Sequence, residues 1–161
     1  RRYGLVLIRS IKENIGMVAL RHLFKKQMIP LKKENSLVTS MIERFAIKAP
    51  SDEIETRTLS GGNQQKVVLA KWMAVEPKVL IMDEPTRGID VGTKYEIYKM
   101  MNEMTEQGMS IIMINSDMEE LLGMSDRILV IREGKLAGEL SREEACPESA
   151  MNVAVGGQTN E

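Results

Sequence analysis

The chain has 161 residues, 43% of them hydrophobic and 28% charged, with a net charge of −1. That length supports one domain with a real core, and that composition is globular rather than disordered. The near-neutral charge argues against non-specific nucleic-acid binding, no apolar run reaches membrane-spanning length, and no signal peptide is visible. One cysteine, Cys146, excludes an internal disulfide and fits a reducing compartment. Most of the thirteen methionines fall at helical or strand positions and read as core filler. The chain opens on Arg1-Arg2-Tyr3 with no initiating methionine, as expected of a fragment or of a processed chain.

Three Ser-x-x-Glu boxes read as helix starts: Ser10 with Glu13, Ser116 with Glu119, and Ser141 with Glu144. The first opens a helix through about Leu20. His22 has no constellation of partner residues and reads as a surface or interface residue. Lys25, Lys26, Lys32 and Lys33 surround Pro30 as a solvated linker or a partner-facing stretch. A second helix runs from about Glu34 to Ile47 and stops before Pro50. Ser60 opens the next helix, with Val68, Trp72 and Val75 on one face, and Pro77 ends it.

Val79–Met82 reads as a parallel strand buried on both faces. Asp90 caps the following helix, in which Ile97, Met101 and Met104 form a stripe, and Gly108 is its C′ residue. Ser110–Ile114 is a second buried strand, and a short helix covers Asp117 to Leu122. Arg127–Arg132 and Lys135–Leu140 flank Glu133-Gly134 as a hairpin. A small helical tail fades into Gly156-Gly157. Helices come first, then alternating strand and helix, so the pattern is α/β with a helical subdomain.

Two stretches carry chemistry. In Leu59-Ser60-Gly61-Gly62-Asn63-Gln64-Gln65-Lys66 a serine and two glycines open a helix. Helix N-termini present unpaired N–H groups and favour negative charge. Gly61 and Gly62 let a phosphate approach the backbone, and Ser60 is either an added donor or a plain N-cap. In Val79-Leu80-Ile81-Met82-Asp83-Glu84-Pro85-Thr86 two carboxylates end an apolar strand. Open α/β sheets place ligands at that end, and two carboxylates there suit a magnesium ion and an activated water. Charge and Pro85 would also stop the strand with no further role.

Together, in that order, the two stretches resemble the signature motif and the Walker B segment of ATP-binding cassette (ABC) ATPases. With Arg87-Gly88-Ile89-Asp90-Val91-Gly92 and Ser125-Asp126-Arg127-Ile128, the text is similar, over nearly the whole chain, to the C-terminal half of the second cassette of ribose- and galactose-type sugar importers. The resemblance implies an α/β, P-loop NTPase-type ABC core with a mostly parallel sheet. It divides into a helical subdomain with the signature helix over about 9–75, an α/β core over about 76–140, and a tail over 141–161.

It further implies ATP and Mg²⁺ as ligands. Asp83 would hold the metal and Glu84 would polarise the attacking water. Ser60, Gly61, Gly62 and Asn63 would face the nucleotide of the opposite cassette. Gly88 to Asp90 would form the D-loop that contacts that cassette, and Asp90 can serve there and as an N-cap at once. Implied partners are another ABC cassette, transmembrane permease subunits and, indirectly, a periplasmic or extracellular substrate-binding protein, with no nucleic acid. The implied location is peripheral, on the cytoplasmic face of the bacterial membrane.

This sequence departs from the pattern in two places. It contains no Gly-x-x-x-x-Gly-Lys-Ser/Thr, so the phosphate-cradling Walker A loop is expected before Arg1. Many ABC ATPases carry a switch histidine where Ile114-Asn115-Ser116-Asp117 puts Ser116, which reads as an N-cap instead. The family often pairs one competent site with one degenerate site. Asn63 stands where the general signature has glutamine, as in the sugar-importer branch. Nucleoside importers share nearly the same motifs. A non-catalytic interaction module and a soluble ABC protein of translation or repair are further alternatives, though the coiled-coil insertion of repair-type members is absent.

Overall fold

The computed structural model describes residues 4–23 and 31–156. Two compact units emerge. The first comprises Arg1–Leu80 with Thr86–Ile111, and the second Ile81–Pro85 with Ile112–Glu161.

In the first unit, α1 (Ile11–Leu23) packs on α2 (Leu31–Arg44) and on α3 (Gly61–Met73), and α3 meets α4 (Val91–Glu106). The Ser10 box forms as expected. The Ser10 hydroxyl accepts from the Glu13 amide at 3.1 Å, and Glu13 accepts from the Ser10 amide at 2.9 Å. Those bonds hold the Glu13 carboxyl below its usual range, the Ser10 amide contributing most. Ile11, Ile15 and Ala19 then fall on the buried face of α1. Asn14, wholly buried among them, is satisfied by backbone: its oxygen accepts from the Val6 amide, and its nitrogen donates to the Val6 and Ser10 carbonyls.

Helix α2 starts and stops three residues earlier than its sequence suggests, and Lys32 and Lys33 belong to its first turn rather than to a linker. Its stop is set by backbone geometry. Ala46 lies at φ +45°, its amide bonds the Glu43 carbonyl, and the Ile47 amide reaches back to the Ile42 carbonyl. That closure usually employs glycine; here burial of Phe45 and Ile47 holds it in place. Lys25, Lys26, Pro30 and the His22 side chain lie outside the described residues.

The expected face of α3 is corrected. Its buried residues are Gly62, Lys66, Val67, Leu69, Ala70, Lys71 and Met73, whereas Trp72 is 46% exposed. The deciding contacts are polar. Two lysines sit in the interior because each finds a backbone oxygen: Lys66 on Ala46 and Lys71 on Gly4, both at 3.1 Å. Burial lowers the Lys71 pKa. Helix α4 follows expectation, capped by Asp90, burying Ile97, Met101 and Met104, and closed by Gly108 at φ +87°.

Strands β1 (Val79–Asp83) and β2 (Ser110–Ile114) pair as a two-stranded sheet. The Ser110 amide donates to the Lys78 carbonyl at 3.0 Å and the Glu84 amide to the Ile114 carbonyl at 2.8 Å. Low numbers meet low and high meet high, so the pair is parallel. Burial on both faces does not hold. Leu80 and Met82 are buried, but Val79 and Ile81 are 51% and 65% exposed, and Ile112 and Ile114 are 52% and 53% exposed.

In the second unit, α5 (Met118–Met124) is capped by Asp117, whose carboxylate accepts from the Glu119 and Glu120 amides. The expected Ser116 cap is therefore off by one residue. A carboxylate is the stronger acceptor for two helix N–H groups, and the dipole favours its charge. The hairpin joins β3 (Arg127–Arg132) to β4 (Lys135–Ser141) in antiparallel register, with Arg132 opposite Lys135 and an irregularity at Val130/Ile131. Glu133 and Gly134 both adopt positive φ, as a two-residue turn requires.

Ser141 ends a strand and opens a turn rather than a helix. Glu144 accepts from its amide at 3.0 Å and from its hydroxyl at 2.6 Å. Helix α6 (Pro147–Val155) starts later, capped by the Cys146 sulfur accepting from the Ser149 amide. Ile128, Leu140, Ala150 and Val153 are the buried core here, and Gly138 lets Val153 approach the strand. Among the described residues, no helix is long and apolar enough to cross a membrane.

Exposed branched side chains on two adjacent short strands favour association. The 161-residue chain is expected to self-associate on size-exclusion chromatography. Ile81→Thr with Ile112→Thr should shift it toward monomer. A sharp, cooperative, monomeric thermal transition of the unaltered chain would overturn this expectation.

Candidate functional site

The expected site residues form two groups, one in each unit. In the first, Ser60 stands in extended conformation before α3, its carbonyl accepting from the Gln64 amide at 2.9 Å. Its hydroxyl oxygen accepts from the Asn63 amide at 3.4 Å and from the Asn63 side-chain nitrogen at 3.1 Å. Asn63 uses its other end as well, its oxygen accepting from the Lys48 amide at 2.9 Å. Ser60 is thus a real N-cap, exposed, with its loop braced by Asn63.

Gly62 is buried, and its missing side chain has a cause beyond ligand approach. A Cβ built there would lie 2.6 Å from Thr93 Cγ2 and 2.9 Å from Thr93 Oγ1. Thr93 in turn is held by Asp90. The Thr93 amide donates to Asp90 Oδ1 at 3.0 Å and its hydroxyl to Asp90 Oδ2 at 2.8 Å. These bonds, the amide first, hold the Asp90 carboxyl below its usual range. The structure therefore links Asp90 to the Ser60–Asn63 group through one threonine. A second link lies a turn further along, where Lys66 Nζ meets Glu96 Oε2 at 2.7 Å and depresses the Glu96 pKa.

Asp83 and Glu84 are in the second unit, where β1 ends. Asp83 is the last strand residue and is exposed. Glu84 turns the chain at φ +49°. A non-glycine residue there costs about 1–2 kcal/mol, and such strain concentrates at functional positions. Two bonds hold it. Its amide donates to the Ile114 carbonyl, and its carboxylate Oε1 accepts from the Ser116 amide at 3.0 Å. Ser116 thus acts through its main-chain amide, which any residue type but proline supplies. Beyond it, the Asn115 side chain bonds Glu120, which is buried, and accepts from the Asp117 amide at 2.9 Å.

Among the described residues, no three His, Cys, Asp or Glu side chains gather in a cluster able to hold a metal. An exposed carboxylate at a strand end still fits Mg²⁺, which uses one or two carboxylates and completes its shell with water and phosphate oxygens.

Three contributors were missed in the sequence: Thr93, the Lys66–Glu96 pair and the Ser116 amide. The first had a signal. Asp90 with Thr93 three residues on is the spacing of a side-chain cap that returns a hydroxyl to its own capping carboxylate. The other two join residues 30 and 32 positions apart and leave no local trace.

Comparison with known proteins shows the family of the chain. The family model described as ABC transporter matches residues 6–87. The chain is 58% identical over 158 residues to the ribose import ATP-binding protein RbsA of Oceanobacillus iheyensis, covering 98% of this chain and 32% of that protein. It is 53% identical over 155 residues to the RbsA of Bacillus subtilis, covering 96% and 31%. The chain thus spans about a third of the length of these relatives.

Solved structures share the fold. The ATP-binding cassette MJ0796, in a dimeric post-hydrolysis state bound to ADP and Pi, superposes with a TM-score of 0.74 at 20% identity, covering 88% of this chain and 60% of that one. The cassette MJ1267 in its ADP conformation gives 0.70 at 23%, covering 96% and 69%. A family match across half the chain, with a cassette fold and a glycine-opened helix ahead of an acidic strand end, leads to one assignment: the chain belongs to the ABC transporter family.

Proposed function

We propose that this chain is the ATPase segment of an ABC importer, coupling ATP binding and hydrolysis to sugar uptake. The observation that carries this reading is the 58% identity to a ribose import ATP-binding protein across 98% of the chain, both motif groups included. In this reading Ser60, Gly61, Gly62 and Asn63 offer amide and hydroxyl donors to the nucleotide of an opposing cassette. Asp90 lies in the loop that faces that cassette. Permease subunits and, through them, an external binding protein complete the assembly at the cytoplasmic face of the membrane.

Asp83 is the residue that would hold Mg²⁺, whose charge neutralises phosphate oxygens during transfer. Glu84 orients and polarises the attacking water. Its carboxylate is aimed by the Ser116 amide, so the direction of Oε1 is fixed before substrate arrives. One oxygen accepts that bond and the other remains for water. A histidine at position 116 would add a cationic donor, which serine lacks. The site around Glu84 is therefore the slower of a pair.

Two expectations follow from these assignments. In the full transporter, Gly61→Val obstructs the donor loop and should lower ATPase activity by about 100-fold or more. Glu84→Gln keeps an oxygen for the Ser116 amide, removes the base and should cost much less. ATPase rates of the two purified variants check this, and equal damage would make Glu84 a principal base. The 161 residues alone contain no phosphate-loop sequence, the usual source of most phosphate contacts. They should bind Mg-ATP more weakly than about 1 mM by calorimetry, with no turnover. Tighter binding with measurable hydrolysis would refute this.

A further inference from the structure

Thr93 touches both halves of the first group of residues. Its methyl and hydroxyl lie where a Gly62 side chain would be, and its hydroxyl and amide are both bound to Asp90. Threonine's χ1 has few allowed wells, and a hydroxyl bonded to the preceding cap fixes one of them. The methyl is then held toward Gly62, on the first turn of α3, two residues after Ser60. Nothing in an unbranched or unbonded side chain would hold that contact in one place.

We propose that Thr93 is a positioning residue for the Ser60–Gly62 loop: Asp90 fixes its rotamer, and the fixed rotamer is the seat on which Gly62 rests. This inference depends on the reading in which that loop meets a nucleotide phosphate. It adds that the carboxylate of Asp90 sets the aim of the loop's donors within its own chain. Displacing Asp90 frees Thr93, lets Gly62 move, and misdirects the donors. The glycine at 62 is then required by Thr93 as much as by any ligand.

The test uses the full-length ATPase assembled with its partners and measures kcat and KM for ATP. Thr93→Val keeps a methyl against Gly62 and loses the hydroxyl bond. It should lower kcat about 10-fold with KM changed less than about twofold. Thr93→Ser keeps the hydroxyl bond to Asp90 but removes the methyl that faces Gly62, so it too should lower kcat, with KM changed less than about twofold. Because Thr93 acts through the loop, adding Thr93→Val to Ser60→Ala should slow the enzyme little further. Gly62→Ala should be strongly impaired, and a second change, Thr93→Ala, should restore about fivefold by making room.

An unchanged kcat in Thr93→Val, losses that multiply in the double variant, or no recovery in Gly62→Ala/Thr93→Ala would overturn the positioning role alone, provided that Ser60→Ala is slow. Silent Ser60→Ala and Gly61→Val variants would remove the phosphate-facing reading and the positioning role with it.

Discussion

A buried ammonium needs partners, and Lys66 has two. Its Nζ reaches the Ala46 carbonyl at 3.1 Å and the Glu96 carboxylate at 2.7 Å, while the residue is only 3% exposed. Removing the Glu96 carboxylate would leave the buried ammonium with a carbonyl oxygen and no counter-charge, which is among the costlier defects a fold can carry. The bond therefore dictates where α3 lies between the end of α2 and the first turns of α4. Ala46 is itself in left-handed backbone, so its carbonyl direction follows from the way α2 closes. Everything at the start of α3, including the Ser60 cap and the contact of Gly62 with Thr93, inherits this placement.

The two motif groups are built by different means. The serine–glycine group is aimed by packing and side-chain bonds, with Asn63 bracing Ser60 and Thr93 backing Gly62. The acidic group is aimed by the backbone. Glu84 occupies a left-handed conformation that its β-strand neighbours do not share, its amide bonded to the Ile114 carbonyl and its carboxylate aimed by the Ser116 amide. The first arrangement is sensitive to side-chain volume. The second depends on β2 remaining in register with β1.

Local chemistry was legible in the sequence wherever cause and effect lie within a few residues. The Ser10 and Asp90 caps, Gly108 after α4 and the Glu133-Gly134 turn each state their role in a four- or five-residue window. The readings that failed depend on competition or on distant partners. Asp117 displaces Ser116 as a cap because a carboxylate is the better acceptor. The Glu144 carboxylate accepts from both the amide and the hydroxyl of Ser141 without any helix after them, since these bonds close a turn equally well. The apolar stripe of α3 misled because Lys66 and Lys71, polar by type, are interior by partnership. Of the site, residue types and order were legible. The strain at Glu84 and the backing of Gly62 belong to three-dimensional neighbours.

The two sheets differ in how far apart their strands lie along the chain. Strands β3 and β4 are joined by two residues, so their ladder closes a short loop and can zip on the scale of about 1–10 μs. Strands β1 and β2 are separated by the whole of α4, and a parallel pair with such a crossover bears the entropy of a much longer loop. Glu84 receives the bond that aims it only after that slower closure, since Ile114 and Ser116 lie at and just beyond the end of β2. The hairpin can therefore close early, while the acidic strand end acquires its working geometry only after the slower β1–β2 closure.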